Sequence, residues 1–154
     1  MAQGIGVRQT NYLVDTQLIL KAAGAAQTAS ANGSLILDLG GSGQDFTPMV
    51  HFSMMVDVSA IDVTTGDESY RLILEGSDSD TFASAIEPLC EVSLGGAGAG
   101  LPANGDVASD TGRYVVKGCN LRNEHTYRYA RLTWVIAGTT PSITFVAGLT
   151  MAMY

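Results

Sequence analysis

The sequence predicts an all-β chain, two antiparallel sheets packed face to face, and three observations predict it. Apolar residues recur at every second position in several runs of eight to ten or so, the period of a strand with one face on a core. The 18 glycines of the 154 residues gather between these runs rather than inside them, so turns are many. No stretch carries a sustained 3.6-residue apolar period, so no long helix is expected. A chain of this length buries one ordinary core, and residues 1–154 are read as a single domain.

In chain order, residues 1–11 contain a single charge, Arg8, and no period, and are read as an extended arm. Tyr12, Val14, Leu18 and Leu20 share one alternate set, which predicts a strand over 13–20. Residues 21–32 are rich in Ala, Ser and Thr. A short helix there would have little apolar face to bury, and Asn32-Gly33 is a turn signal. A strand is expected over 35–39, ended by Gly40, Gly41 and Gly43. Val50, Phe52, Met54, Val56 and Val58 form a clean inward set, and Thr65-Gly66-Asp67 turns the chain into Tyr70, Leu72 and Leu74. A shorter strand at 89–94 places Cys90, Val92 and Leu94 inward.

Residues 95–112 hold six glycines and read as a long loop, a length that compact domains usually keep for binding. A strand at 114–119 and a polar connection at 120–125 follow. The most regular pattern comes last: Ala130, Leu132, Trp134 and Ile136, then turn residues at 138–142, then Ile143, Phe145, Ala147, Leu149 and Met151. This reads as a hairpin of two long strands. A two-stranded ribbon cannot hide the single Trp, so an opposing layer is required. The count is seven or eight strands, and eight in two sheets is the number of a jelly roll.

Charge narrows the functions. With eight bases against fifteen acids the net charge is −7, which argues against a surface built to bind nucleic acid. Between Asp38 and Asp110 lie thirteen acids and only Arg71, whereas residues 112–154 hold five bases and only Glu124. Two differently charged solvated faces explain this, as does a polarity used in docking. No segment approaches the ~20 apolar residues needed to span a bilayer, and the N-terminus lacks a secretory pattern, so a soluble protein made in a reducing cytoplasm is expected. Cys90 and Cys119 are too few for a disulfide framework or a zinc site.

Catalytic motifs are wanting. The glycine run at 95–100 fits no dinucleotide fingerprint, and neither a Walker loop nor a nucleophile elbow occurs. His51 and His125 have no neighbours at metal-ligand spacing. Asp78 and Asp80, in an oxygen-rich loop, are weak candidates for calcium, with side-chain caps to backbone amides as the plainer reading. No cofactor and no catalytic residue is expected. By alternation Tyr127, Tyr129 and Arg131 share an outward face, a composition that protein interfaces enrich.

Three stretches carry a resemblance: residues 75–82 (EGSDSDTF), 127–132 (YRYARL) and 137–144 (AGTTPSIT). In order and spacing they resemble the small capsid cement, or decoration, proteins of tailed bacteriophages, in particular the jelly-roll type of a short-tailed Bordetella phage. The likeness runs from Leu35 onward. It implies a non-enzymatic jelly-roll protein of the capsid exterior, assembled in the bacterial cytoplasm. Such a protein binds as a dimer or trimer and bridges major capsid subunits against the outward stress of packaged DNA. Gln3, Val7 and Tyr12 in the arm, with Tyr127, Tyr129 and Arg131, are the expected interface residues. The competing expectation is a virion-displayed carbohydrate-binding jelly-roll module using Asp78 and Asp80, but residues 95–112 offer no aromatic side chain for a sugar.

Overall fold

The structure, a computed structural model, describes residues 18–40, 49–102 and 105–151. The predicted arm, with Gln3, Val7 and Tyr12, lies outside the described residues, as does most of the strand expected over 13–20. Eleven strands are described: β1 (Ile19–Lys21), β2 (Ala31–Asp38), β3 (His51–Ile61), β4 (Ser69–Ser77), β5 (Glu87–Gly95), β6 (Asp106–Val107), β7 (Gly112–Cys119), β8 (Leu121–Arg122), β9 (His125–Thr126), β10 (Tyr129–Ala137) and β11 (Ile143–Met151). One sheet has the order β1-β11-β3-β7 and the other β2-β10-β4-β5-β6, while β8 and β9 form a small ribbon. All pairings are antiparallel except β5 with β6. Eight strands thus make two four-stranded layers, a jelly-roll-like sandwich, with β6 as a short addition to one edge.

The inward alternate sets meet between the layers. Phe52, Met54, Val56 and Val58 of β3 and Phe145, Ala147 and Leu149 of β11 face Tyr70, Leu72 and Leu74 of β4 and Ala130, Leu132, Trp134 and Ile136 of β10. All are buried. The Trp134 and Phe145 rings meet edge to face at 5.8 Å, the geometry that aromatic quadrupoles favour.

That contact corrects the expected hairpin. β10 pairs with β2 and β4, and β11 pairs with β1 and β3, so residues 138–142 carry the chain from one sheet to the other. Period two states which residues face the core, and two strands facing each other across it have the same pattern as two lying side by side. The crossing is anchored at its start. Gly138 sits at φ +112°, where a Cβ would lie 2.6 Å from Glu68 Cα, and Thr139 donates from its N–H and its hydroxyl to the two Asp67 carboxylate oxygens. Tyr70, fully buried, donates its hydroxyl to Asp62 O at 2.6 Å and accepts from Ser142 N–H at 2.9 Å. The β3–β4 and β10–β11 crossings are thereby pinned together at one end.

One other expectation changes. Residues 21–32 form no helix, in keeping with their small apolar face; Gln27 bridges to Ile143, and β2 begins at Ala31. Asn32-Gly33 is therefore inside a strand rather than a turn. A Cβ on Gly33 would lie 2.8 Å from Leu132 O, so glycine is needed there for close approach, beside an irregularity in the β2–β10 register.

Candidate functional site

The predicted outward patch is only partly assembled. Tyr129 and Arg131 lie on the outer face of β10, but Tyr127 precedes the strand and is buried, 7% exposed. Its backbone N–H donates to Asn120 O, its carbonyl accepts from the Asn120 amide, and its Cβ lies where a Cβ on Gly76 would come within 2.9 Å. The absent side chain at Gly76 is the room that Tyr127 fills, so the alternation of the strand does not extend back to it. Burial raises its phenol pKa, with Glu87 and Asp78 adding to the effect.

The charged members of the patch bind within the chain. Arg128 forms a bidentate pair with Asp38 at 3.0 and 2.9 Å and lies over the Tyr129 ring. Arg131 donates to Glu75 at 3.0 Å, and its guanidinium stacks 4.3 Å from the Phe82 ring centroid. The Thr133 hydroxyl donates to the same Glu75 oxygen. Two of the three stretches quoted above, 75–82 and 127–132, are thus one unit: neighbouring strands in register from Tyr129↔Ser77 to Leu132↔Leu74, with Phe82 folded back onto them.

The candidate metal loop holds side-chain caps to backbone amides, from serines rather than from Asp78 or Asp80. Asp78 contacts His125 at 2.6 Å, and serines supply the caps: Ser77 Oγ accepts from Ser79 N–H and Ser79 Oγ from Thr81 N–H. Among the described residues no three His, Cys, Asp or Glu side chains stand together as a metal site.

The glycine-rich segment is docked. Gly96 N–H donates to Glu68 O and Gly98 N–H to Gly66 O, and a Cβ on Gly96 would sit 2.5 Å from Gly66 carbonyl atoms. Further on, β6 pairs with β5, and Ser109 Oγ accepts from Gly95 N–H. Close backbone approach explains the glycines at the start of this segment. The buried Glu68 carboxylate beneath them accepts from Thr65 and Gly66 N–H. Burial is the largest influence on its pKa and acts upward, but these hydrogen bonds together outweigh it and the net direction is down.

The lengthwise charge asymmetry becomes cross-strand neutralisation. Arg113 pairs with Asp57, Arg128 with Asp38, Arg131 with Glu75 and Arg71 with Glu91. Two features escaped the sequence reading. β2 is an edge strand among the described residues, with Leu35 and Ile36 each 41% exposed. A cavity of about 290 Å³ is lined by His51, Leu89, Lys117, Gly118, Cys119, Leu121 and Arg122, side chains from four strands whose proximity no local spacing encodes. Among the described residues no helix is long and apolar enough to cross a membrane. No protein-family model matches the chain, and no curated protein matches it.

Proposed function

We propose that this chain is a virion structural protein, a cement or decoration protein of a tailed-phage head. It binds the capsid exterior, self-associates as a dimer or trimer and bridges major capsid subunits against the pressure of packaged DNA. The observation that carries this reading is the β2 edge. It is eight residues long, has no Lys, Arg or Pro, exposes Leu35 and Ile36, and is paired on one side only among the described strands. Charge, proline, bulges or brevity normally blunt such edges; here the one charge, Asp38, is taken up by Arg128 and the irregularity lies beside Gly33, which leaves the stretch around Leu35 and Ile36 to accept another chain through backbone hydrogen bonds. The resemblance supplies the partner class, and the Arg131–Glu75–Phe82 brace gives its quoted stretches a shared structural role. On an icosahedral lattice, modest contacts of this kind add up through avidity. Gln3, Val7 and Tyr12, together with Tyr129 and Arg131, are the further proposed contacts.

Co-sedimentation with expanded phage heads stripped of their outer proteins tests the proposal, across a range of salt and with a calcium chelator. Saturable, chelator-insensitive binding at a fixed ratio to the major capsid protein is expected, weakened by Ile36→Lys and by deletion of residues 1–11. Absence of binding to any cognate head refutes it. Chelator-sensitive binding to glycans in its place establishes the carbohydrate-module alternative.

A further inference from the structure

We propose that the cavity lined by His51, Lys117, Cys119 and Arg122 is an anion-binding site that takes carboxylate side chains from an acidic, extended segment of a protein partner. The inference rests on local charge balance and the residues around the cavity, so it stands or falls separately from the capsid reading. Of the described cations, Arg71, Arg113, Arg128 and Arg131 are each neutralised by a carboxylate, and the Lys21 ammonium is held by the Phe145 carbonyl and ring. Lys117 and Arg122 have no carboxylate partner among the described residues, and these two share one cavity. In a chain of net charge −7, that is a local reversal of sign.

The site is held in place by the fold. Arg122 donates from Nε to Pro88 O at 3.1 Å and from Nη2 to Leu89 O at 2.8 Å, which fixes the guanidinium beside β5. His51 lies opposite Cys119 in the β3–β7 ladder, and Lys117 shares a strand face with Cys119, two residues away. Among the described residues no acidic side chain lines the cavity, and partly exposed Leu121 lies beside the bases with buried Leu89 behind it. Partly exposed Leu121, and exposed Val115 two residues before Lys117 on β7, favour a peptide over a bare oxyanion. Methylene stems of Asp or Glu and an apolar neighbour would cover surface that a phosphate leaves wet.

Cys119 provides a reporter inside the site. It is a free, partly exposed thiol, whereas Cys90 is buried, its pKa pushed up to about 12 by burial, and does not compete for reagent. On alkylation the Cys119 thiolate displaces iodide, an S–C bond forming as the C–I bond breaks and the thiol proton passing to buffer. The rate ratio of iodoacetate to iodoacetamide at this one sulfur cancels its thiolate fraction and reads the anion preference of the cavity. Relative to N-acetylcysteine amide, the ratio is expected to rise about tenfold at low salt, to fall back in about 1 M salt, and to drop severalfold in Lys117→Gln, a substitution at an exposed position of β7. Acetyl-tetraglutamate amide is expected to slow iodoacetamide labelling saturably in the native chain and not in Lys117→Gln, with inorganic phosphate at equal ionic strength leaving the rate unchanged. A ratio equal to that of the free thiol, without protection by the peptide, overturns the site. Protection by phosphate as strong as by the peptide overturns the assignment to a protein segment and leaves a small-oxyanion site.

Discussion

Asn123 and Glu124 both sit at positive φ, 49° and 65°, between β8 and β9. That is the two-residue turn whose backbone twist suits a hairpin, and it favours Asn followed by Gly. Glu124 carries a left-handed conformation at a cost, so Glu124→Gly is expected to stabilise the protein by about 1 kcal/mol, a rise of roughly 2–4 °C in thermal unfolding. Gly138→Ala is expected to do the opposite, losing about 2–4 kcal/mol, because φ +112° and the Glu68 backbone at 2.6 Å leave a methyl group no place. An unchanged melting temperature for either variant contradicts the local geometry. The sequence reading placed turns at 138–142 and 65–67 from residue type alone. It missed the Asn123-Glu124 turn because Glu is a poor marker of positive φ. Tyr127 was misplaced for a related reason: what admits it to the core is the glycine at 76, 51 residues away in sequence.

At the scale of elements, the outer face of β10 and β4 is held by Arg131 and Glu75, whose side chains are 14% and 17% exposed. Arg131→Ala leaves the Glu75 carboxylate with the Thr133 hydroxyl and uncovers Phe82. A loss of about 2–4 kcal/mol in urea unfolding is expected, because a largely buried charge is left unpaired. A loss under about 1 kcal/mol would put the pair with ordinary surface bridges. Strands were the most legible level: β3, β4, β5, β10 and β11 follow the alternate apolar sets because burial on one face imposes that period. β2 was less legible, since only Leu37 among its large apolar side chains is buried while Leu35 and Ile36 are exposed. Pairing was the least legible, because the choice between neighbouring strands in one sheet and opposed strands in two is made by long-range packing such as Trp134 on Phe145.

For the whole molecule, the end where the crossings meet sets the acid limit. Asp62 is held below its usual range by the Thr64 N–H and hydroxyl, Asp67 by the Thr139 N–H and hydroxyl, and Glu68 by the net balance already described. A carboxyl group with a depressed folded pKa contributes stability that is fully present above its unfolded value and is lost as pH falls through the folded one. Starting from ordinary values of 3.8 and 4.5, the melting temperature is expected to hold from neutrality down to about pH 5 and to fall steeply below. Asp67→Asn should lower it at neutral pH and shrink the acid-induced drop. A protein that becomes more stable on acidification contradicts this account. At this scale the sandwich was legible from the count of alternating runs, but the anion cavity was not, because His51, Lys117 and Arg122 meet only once both sheets and the β8–β9 ribbon are in place.

The positions of β10 and β11 also bear on biosynthesis. These two strands come last among those described, yet each lies in the interior of its sheet, β10 between β2 and β4 and β11 between β1 and β3. A nascent chain that has released everything through β5 therefore holds two sheets with a missing middle. At about 5–20 residues per second, the ribosome needs roughly 3–11 s more to deliver the remaining strands. During that interval the facing edges of β2, β4 and β3 stand open to any other extended chain, including another copy on the same polysome. Both sheets can therefore close only after β11 has left the ribosome, and slower synthesis of residues 96–151 is expected to lower the yield of soluble protein without altering its final stability.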